Sequence, residues 1–221
     1  MNNSNKKIKV EIWSDIACPF CYIGKRKFEE ALNKFENKED VQIEWKSFQL
    51  MPDAQKESDI SLNEMLASRY GKSLDWAKEM NNNVSNSAKE VGLNFDLDNA
   101  KFTNTLDGHR LIHLASEFGL QDKAKEKLLS SYFIEGKHVG RKETLLEIAK
   151  ELGIEESVVI EMLESDKYKK EVKEEIITGQ KLGLTGVPFF VFNRKYAVAG
   201  AQPSETFLDI LKQSSSDLVK V

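Results

Sequence analysis

The stretch IKVEIWSDIACPFCYIGK, residues 8–25, decides the reading of this chain. Ile8–Trp13 alternates and is rich in β-branched and aromatic residues, which predicts a strand. Ser14–Ala17 reads as a short loop. From Cys18 the period changes: Phe28, Ala31, Leu32 and Phe35 recur at helical spacing and give one apolar face. Cys18 and Cys21, the only two cysteines of the chain, therefore fall where a strand and its loop hand over to a helix.

That position has chemical consequences. A helix N-terminus carries unpaired N–H groups and the positive end of the macrodipole, and both favour a thiolate over a thiol. The expectation is a lowered pKa at Cys18, with Cys21 a turn further in and more buried. Pro19 suits the first turn, where its missing N–H costs nothing. The spacing brings the two sulfurs to one side of the turn, close enough to bridge. A Cys18 thiolate would attack a substrate disulfide, and Cys21 would resolve the mixed disulfide. The competing readings are two structural thiols, or half of a zinc site. The second lacks another cysteine pair, and His109, His113 and His138 lie far off in sequence, so no metal is expected.

Working outward, Val41–Phe48 alternates again and predicts a second strand, parallel to the first with a right-handed crossover. Pro52 and the polar run after it mark a boundary. The middle, about 53 to 165, reads as helix throughout. Ser61 and Glu64 form a capping box ahead of Leu62, Met65 and Leu66. Gly71 and Gly92 stop successive helices, the second of which carries Trp76, Met80, Val84, Ala88 and Val91 on its apolar face. Leu106, Arg110, His113, Leu114 and Phe118 form another face, and further helices are expected at about 121–134, 142–152, 155–164 and 166–182. Pro188–Phe192 and Tyr196–Ala199 flank Asn193-Arg194-Lys195 as a hairpin with a three-residue connection. Pro203 and Ser204 open a last helix. The β elements thus lie at the two ends of the chain. The fold expected is α/β and thioredoxin-like, with residues 1–52 and 166–221 forming one discontinuous domain and 53–165 a large all-helical insertion.

Composition narrows the function classes. Hydrophobic residues make up 40% and charged residues 31%, and the formal net charge is -4 from 32 basic and 36 acidic residues. That balance suits an ordinary globular protein and lacks the basic excess of a nucleic-acid binder. No apolar run approaches the length of a membrane span. The polar start, Met1–Lys9, lacks the basic, apolar and small-residue segments of a secretory signal, so a cytoplasmic location is expected.

A second feature bears on the dithiol. Thr185-Gly186-Val187-Pro188 directly precedes the hairpin, and a proline heading a strand can be cis. There it would lie opposite the cysteines and leave the Val187 backbone free to pair with an extended substrate segment. Pro19, Phe20, Val187 and Pro188 are accordingly the candidate substrate-binding residues.

Cys18–Cys21 together with Gly186-Val187-Pro188 resembles the DsbA family of the thioredoxin superfamily. The stretches 13–25, 104–115, 132–149 and 186–203 are similar to its FrnE-like branch, and the likeness covers nearly the whole chain. The resemblance implies a thioredoxin fold with a helical insertion, cis Pro188, Cys18 as nucleophile and Cys21 as resolving thiol. The branch is also related to 2-hydroxychromene-2-carboxylate isomerases and kappa-class glutathione transferases, which typically carry Ser at the first cysteine position and use glutathione. Both thiols are kept here, which favours dithiol exchange with protein or small-molecule thiols and disulfides. A partner reductase or a glutathione system would complete the cycle. No cofactor is expected, with glutathione a possible co-substrate. The alternatives are a glutathione-dependent isomerase or transferase acting on an aromatic or polyketide-like substrate, and a peptide-binding chaperone-like module. One departure stands out: position 20 is Phe where DsbA enzymes commonly carry His. Phe20 cannot stabilise the thiolate, so the potential should be less oxidising than that of DsbA.

Other residues read more plainly. His109 and His113 share a helix face and are expected to pack or hydrogen-bond, with His109 or Arg110 as possible cleft residues. Asn104 and Arg110 recur in the family-like stretch without an evident role. Trp13, Trp45 and Trp76 are expected in the core. Phe189 and Phe190 should split, one inward and one outward. The run KYKKEVKEE, 167–175, reads as a solvated helix face.

Overall fold

The structure is a computed structural model that describes residues 7–56, 58 and 60–219. Residues 1–6, most of the polar start, and Glu57 and Asp59 of the polar run after Pro52 lie outside the described residues.

β1 (Ile8–Ser14) is followed by α1 (Pro19–Lys34), a short 3-10 turn at Lys38–Asp40, and β2 (Val41–Ser47). β1 and β2 pair in parallel, Ile8 with Val41 through Ser14 with Ser47. Among the described residues seven helices then intervene: α2 (Leu62–Tyr70), α3 (Leu74–Lys89), α4 (Leu106–Glu117), α5 (Gln121–Phe133), α6 (Lys142–Glu151), α7 (Glu156–Glu164) and α8 (Lys169–Lys181). β3 (Phe189–Phe192), β4 (Tyr196–Ala199) and α9 (Ser204–Val219) close the chain. The sheet order is β2-β1-β3-β4, with β3 antiparallel to both β1 and β4. This is a thioredoxin-like α/β fold carrying a large helical insertion between β2 and β3.

Local chemistry explains the boundaries. Ser61 and Glu64 cap α2 reciprocally: the Glu64 N–H donates to Ser61 Oγ, and the Ser61 N–H donates to the Glu64 carboxylate. Gly71 ends α2 in the left-handed conformation, at φ 61°, which costs a glycine little. The 193–195 connection also turns through left-handed backbone, at Asn193 and Arg194.

Helices cover both faces of the sheet. On one face Phe28 of α1 meets the rings of Phe190 and Phe192 of β3 and Phe207 of α9 at 5.6, 6.2 and 5.7 Å. On the other, Trp13, Leu184, Phe189 and Val191 form a smaller cluster. The Trp13 indole N–H donates to the Glu175 carbonyl of α8 at 2.7 Å. A Cβ on Gly179 would stand 2.6 Å from the Trp13 indole nitrogen, so this close approach of α8 depends on glycine.

Several expectations need correction. Phe189 and Phe190 do point to opposite faces, but both are buried, because α8 and the 182–187 segment cover the second face. Trp76 is half-buried and packs on the exposed Tyr70 at 5.6 Å instead of joining the core. On α3 the fully buried positions are Ala77, Asn81 and Ala88. Asn81 lies in a polar chain in which its amide donates to Asn63, whose own amide donates to Asp98. The 167–175 run is solvated only in part. Val172 is buried, and Glu175 turns inward to accept from the Ser47 N–H at 2.7 Å and to meet Lys46 and His113. The helix there begins at Lys169, after Tyr168 has taken a left-handed conformation at φ 67°.

Candidate active site

Cys18 is the N-cap residue of α1, in extended conformation, with Pro19 at the first helical position. No side chain caps this helix end and its first turn carries no acidic residue, so its positive end is left to the sulfurs. The Cys18 N–H reaches the Asp15 carbonyl at 3.4 Å, and the Cys21 N–H donates to the Cys18 carbonyl at 3.0 Å. Both cysteines are free, both are buried, and they approach within 3.4 Å of each other.

The loop before β3 completes the site. The Val187–Pro188 peptide is cis, and the Cys18 thiol donates to the Val187 carbonyl at 3.5 Å. That carbonyl, expected to be open to a substrate strand, is thus shared with the dithiol. Gly24 of α1 faces the same loop, and a Cβ there would lie 3.0 Å from Pro188 Cγ. Phe20, between the cysteines, is 46% exposed, an apolar side chain held in solvent beside the sulfurs. The structure therefore brings Pro19, Phe20, Val187 and Pro188 to the dithiol.

The thiols behave as a pair. Cys18 is pushed well above the ordinary thiol range, first by its hydrogen bond to Cys21 and then by burial. Burial also works against a Cys21 thiolate, but the hydrogen bond from Cys18 and the positive charge of Lys125 outweigh it, and Cys21 is lowered. The pair loses its first proton readily and holds the second tightly, with the remaining proton between the sulfurs. In place of an independently acidic Cys18, the two thiols titrate as one pair that shares a proton.

A buried polar shell surrounds the pair, and sequence reading found almost none of it. Asp15 accepts from the Leu50 N–H at 2.7 Å and the Thr105 hydroxyl at 2.8 Å, with His109 Nε2 at 3.3 Å. Burial raises Asp15, but those contacts prevail and keep it below the ordinary carboxylate value. Burial lowers His109, so its ring is neutral at pH 7 and donates from Nε2. Asn104 donates to the Pro52 and Ala54 carbonyls at 2.7 and 3.0 Å and accepts from Gln49 and the Leu106 N–H. Its role is to fasten the 49–54 segment beside Asp15. Arg110 lies away from any cleft: it is buried, pairs with Asp107, and donates to the carbonyls of Met162, Ser165 and Lys167, closing the C-terminal end of α7.

Two lysines are buried in the same region. Lys25 of α1 is ringed by Glu29, Glu126 and Asp122. Lys125 of α5 donates to the Ser14 carbonyl at 3.3 Å and makes no ion pair with a described carboxylate. The signal for Lys125 was present: it sits one turn before Leu128 and Leu129 and two before Tyr132, on the apolar stripe of its helix.

The chain is similar to known proteins over most of its length. The family model of the DSBA-like thioredoxin domain matches residues 9–212. A probable DsbA oxidoreductase of Streptomyces coelicolor superposes with a TM-score of 0.90 at 36% identity, covering 95% of this chain and 90% of that one. A cytosolic disulfide reductase of Pseudomonas aeruginosa, solved with glutathione, shares the fold at a TM-score of 0.66 and 13% identity, covering 94% of this chain and 99% of that one. An uncharacterized protein of Bacillus subtilis is 23% identical over 202 residues, 90% of this chain and 94% of its own.

Proposed function

Because this chain belongs to the DSBA-like thioredoxin domain family, we propose that it is a thiol–disulfide oxidoreductase whose chemistry is carried by Cys18 and Cys21. The observation that supports this reading best is the dithiol itself: two free thiols within 3.4 Å at an uncapped helix end, facing the Val187 carbonyl.

Cys18 is the nucleophile. It is the outer of the two sulfurs, 4% exposed against 1% for Cys21. When the shared proton moves to Cys21, the Cys18 thiolate attacks a substrate disulfide, forms a mixed disulfide and expels one substrate thiolate. Cys21 then attacks Cys18 Sγ, the mixed disulfide breaks, and the second substrate thiolate leaves. The substrate is reduced by two electrons and the pair is oxidised; the same steps in reverse oxidise a substrate dithiol. Phe20 and the Val187–Pro188 loop hold the substrate segment against the sulfurs, with Pro19 fixing the first turn. The cysteine kept at position 18, where such isomerases typically carry serine, sets the isomerase or transferase reading behind this one.

The setting proposed is the cytoplasm, where a reducing thiol pool keeps the pair as a dithiol and gives it a reductase or isomerase role. Among the described residues no helix is long and apolar enough to cross a membrane. Glutathione or a partner reductase would regenerate the dithiol.

Reduction of insulin disulfides by dithiothreitol, with wild type, Cys18→Ser and Cys21→Ser in parallel, tests the assignment. Catalysis by wild type and its loss in both variants is expected. An inactive wild type, or a Cys21→Ser variant as good as wild type, would shift the function to glutathione-dependent isomerase or transferase chemistry.

A further inference from the structure

We propose that Asp15 is the positioning residue of the dithiol: its carboxylate ties the turn that carries Cys18 to the helical insertion and so holds Cys18 Sγ where Cys21 can reach it. The inference rests on the oxidoreductase reading above and adds to it the residue that sets the geometry of the resolving step.

The contacts converge on one side chain. Asp15 is 1% exposed. Its Oδ2 accepts from the Leu50 N–H at 2.7 Å, in the stretch that follows β2. Its Oδ1 accepts from the hydroxyl of Thr105, the N-cap residue of α4, at 2.8 Å, and lies 3.3 Å from His109 Nε2 one turn further along that helix. The same oxygen reaches back to the Ala17 N–H at 3.4 Å, the turn an Asp side chain forms with the residue two positions on. The Asp15 backbone carbonyl takes the Cys18 N–H, also at 3.4 Å. Side chain and main chain of one residue thus shape the turn that ends at Cys18.

The turn is also seated on the insertion by packing. Ile16 is fully buried, and a Cβ on Gly108 of α4 would stand 2.6 Å from its Cδ1, so glycine leaves the notch that Ile16 fills. A turn of this kind could be closed by its backbone bond alone, with almost any residue at position 15. A buried carboxylate is costly unless donors meet it. Here the donors lie outside the turn, on Leu50, Thr105 and His109, and two of these belong to the insertion.

Placement matters most for the second step. There Cys21 attacks Cys18 Sγ, the bond from Cys18 to the substrate sulfur breaks, and its electron pair leaves with the substrate thiolate. Cys21 is held inside α1, whereas Cys18 is the extended N-cap residue, at the joint between turn and helix. Its sulfur therefore goes where the turn puts it. The rate of such an intramolecular step falls steeply when the reacting atoms are misplaced. The first attack, on a disulfide arriving from solution, depends on the turn far less.

Reduced protein mixed with Ellman's reagent in a stopped-flow instrument separates the two steps. The first thionitrobenzoate leaves when Cys18 attacks, at a rate that rises with reagent concentration. The second leaves when Cys21 resolves, at a rate that does not. In Asp15→Ala, which keeps none of the side-chain ties, the second phase should slow by about ten- to hundredfold, with the first close to wild type. Asp15→Asn should restore the second phase to within about fivefold of wild type. Its amide oxygen can take the Leu50 N–H, and its NH2 can donate to the Thr105 hydroxyl and, after a change of tautomer, to His109. Should Asp15→Ala fail to fold, Thr105→Val replaces it; with one donor gone, its second phase should slow by about fivefold. A wild-type second phase in the folded variant, an equal slowing of both phases, or an Asp15→Asn protein as slow as Asp15→Ala would overturn the positioning role. A wild type that releases no second thionitrobenzoate would instead remove the dithiol reading beneath it.

Discussion

Cys18 Sγ lies 3.5 Å from the Val187 carbonyl, so a helix near the start of the chain and a loop near its end, 169 positions apart, build one site. Gly24, in the second turn of α1, leaves just enough room for Pro188, whose Cγ would stand 3.0 Å from a Cβ at that position. Gly24→Val should drive the loop away from the sulfurs. Insulin-reduction activity should fall by about ten- to hundredfold, since small misplacements of reacting groups are costly. The far-UV circular dichroism should stay that of wild type. Full activity in this variant would show that the loop position does not matter.

Phe20 offers a test of redox tuning. A potential closer to that of thioredoxin, about −270 mV, than to that of DsbA, about −120 mV, is expected because no imidazole supports the thiolate. Phe20→His should move it toward the oxidising end, by about 30 mV for each tenfold gain in stability of the reduced form. Equilibrium titration against glutathione measures both. A wild-type value close to that of DsbA would contradict the first expectation, and an unmoved Phe20→His value the second.

The acid limb of stability should carry the mark of Glu175. Burial raises its pKa, but His113, Lys46 and the Ser47 N–H together hold it at about 2, against an ordinary 4.5. A carboxylate depressed in the folded state contributes stability that is complete above its unfolded pKa and disappears as pH falls through the folded one. The window here runs from about 4.5 down to about 2, and the contribution at neutral pH is about 3 kcal/mol at most. Glu175→Gln should be less stable than wild type at pH 7 and should converge with it toward pH 2. Urea denaturation at a series of pH values checks this; curves that stay parallel would refute it.

Asn104 is a structural fastener, and its removal should say so. Asn104→Ala leaves the Pro52 and Ala54 carbonyls without their donor. A loss of about 1–3 kcal/mol is expected, with faster amide hydrogen exchange confined to the 49–56 region. Unchanged exchange there would remove the role.

Much of this was legible in the sequence, for physical reasons that differ by residue. The 8–13 alternation, the Cys18–Cys21 spacing and the Asn193–Lys195 turn are local signals, and each led to the element found. So did the Ser61–Glu64 capping box, whose partners are three residues apart. Asp15, Lys125 and His109 were missed or left open because their meaning is tertiary. A lysine among several others on α5 becomes special only when the helix packs beside β2 and buries that one side chain against the Ser14 carbonyl. The error at Phe189 has the same origin. Alternation says that neighbours face opposite ways, but which faces are covered depends on α8, far off in sequence. Thiol acidity read from the helix end alone was incomplete, because the two buried sulfurs titrate as a pair.

Intact-mass spectrometry of trapped species distinguishes a Cys18 that attacks from a Cys21 that resolves. Reduced Cys21→Ser protein is incubated with glutathione disulfide and compared with Cys18→Ser and wild type. A stable single glutathione adduct on Cys18 is expected in Cys21→Ser, none in Cys18→Ser, and an internal disulfide without adduct in wild type. An adduct on Cys18→Ser as abundant as that on Cys21→Ser, or no adduct on either, would contradict it.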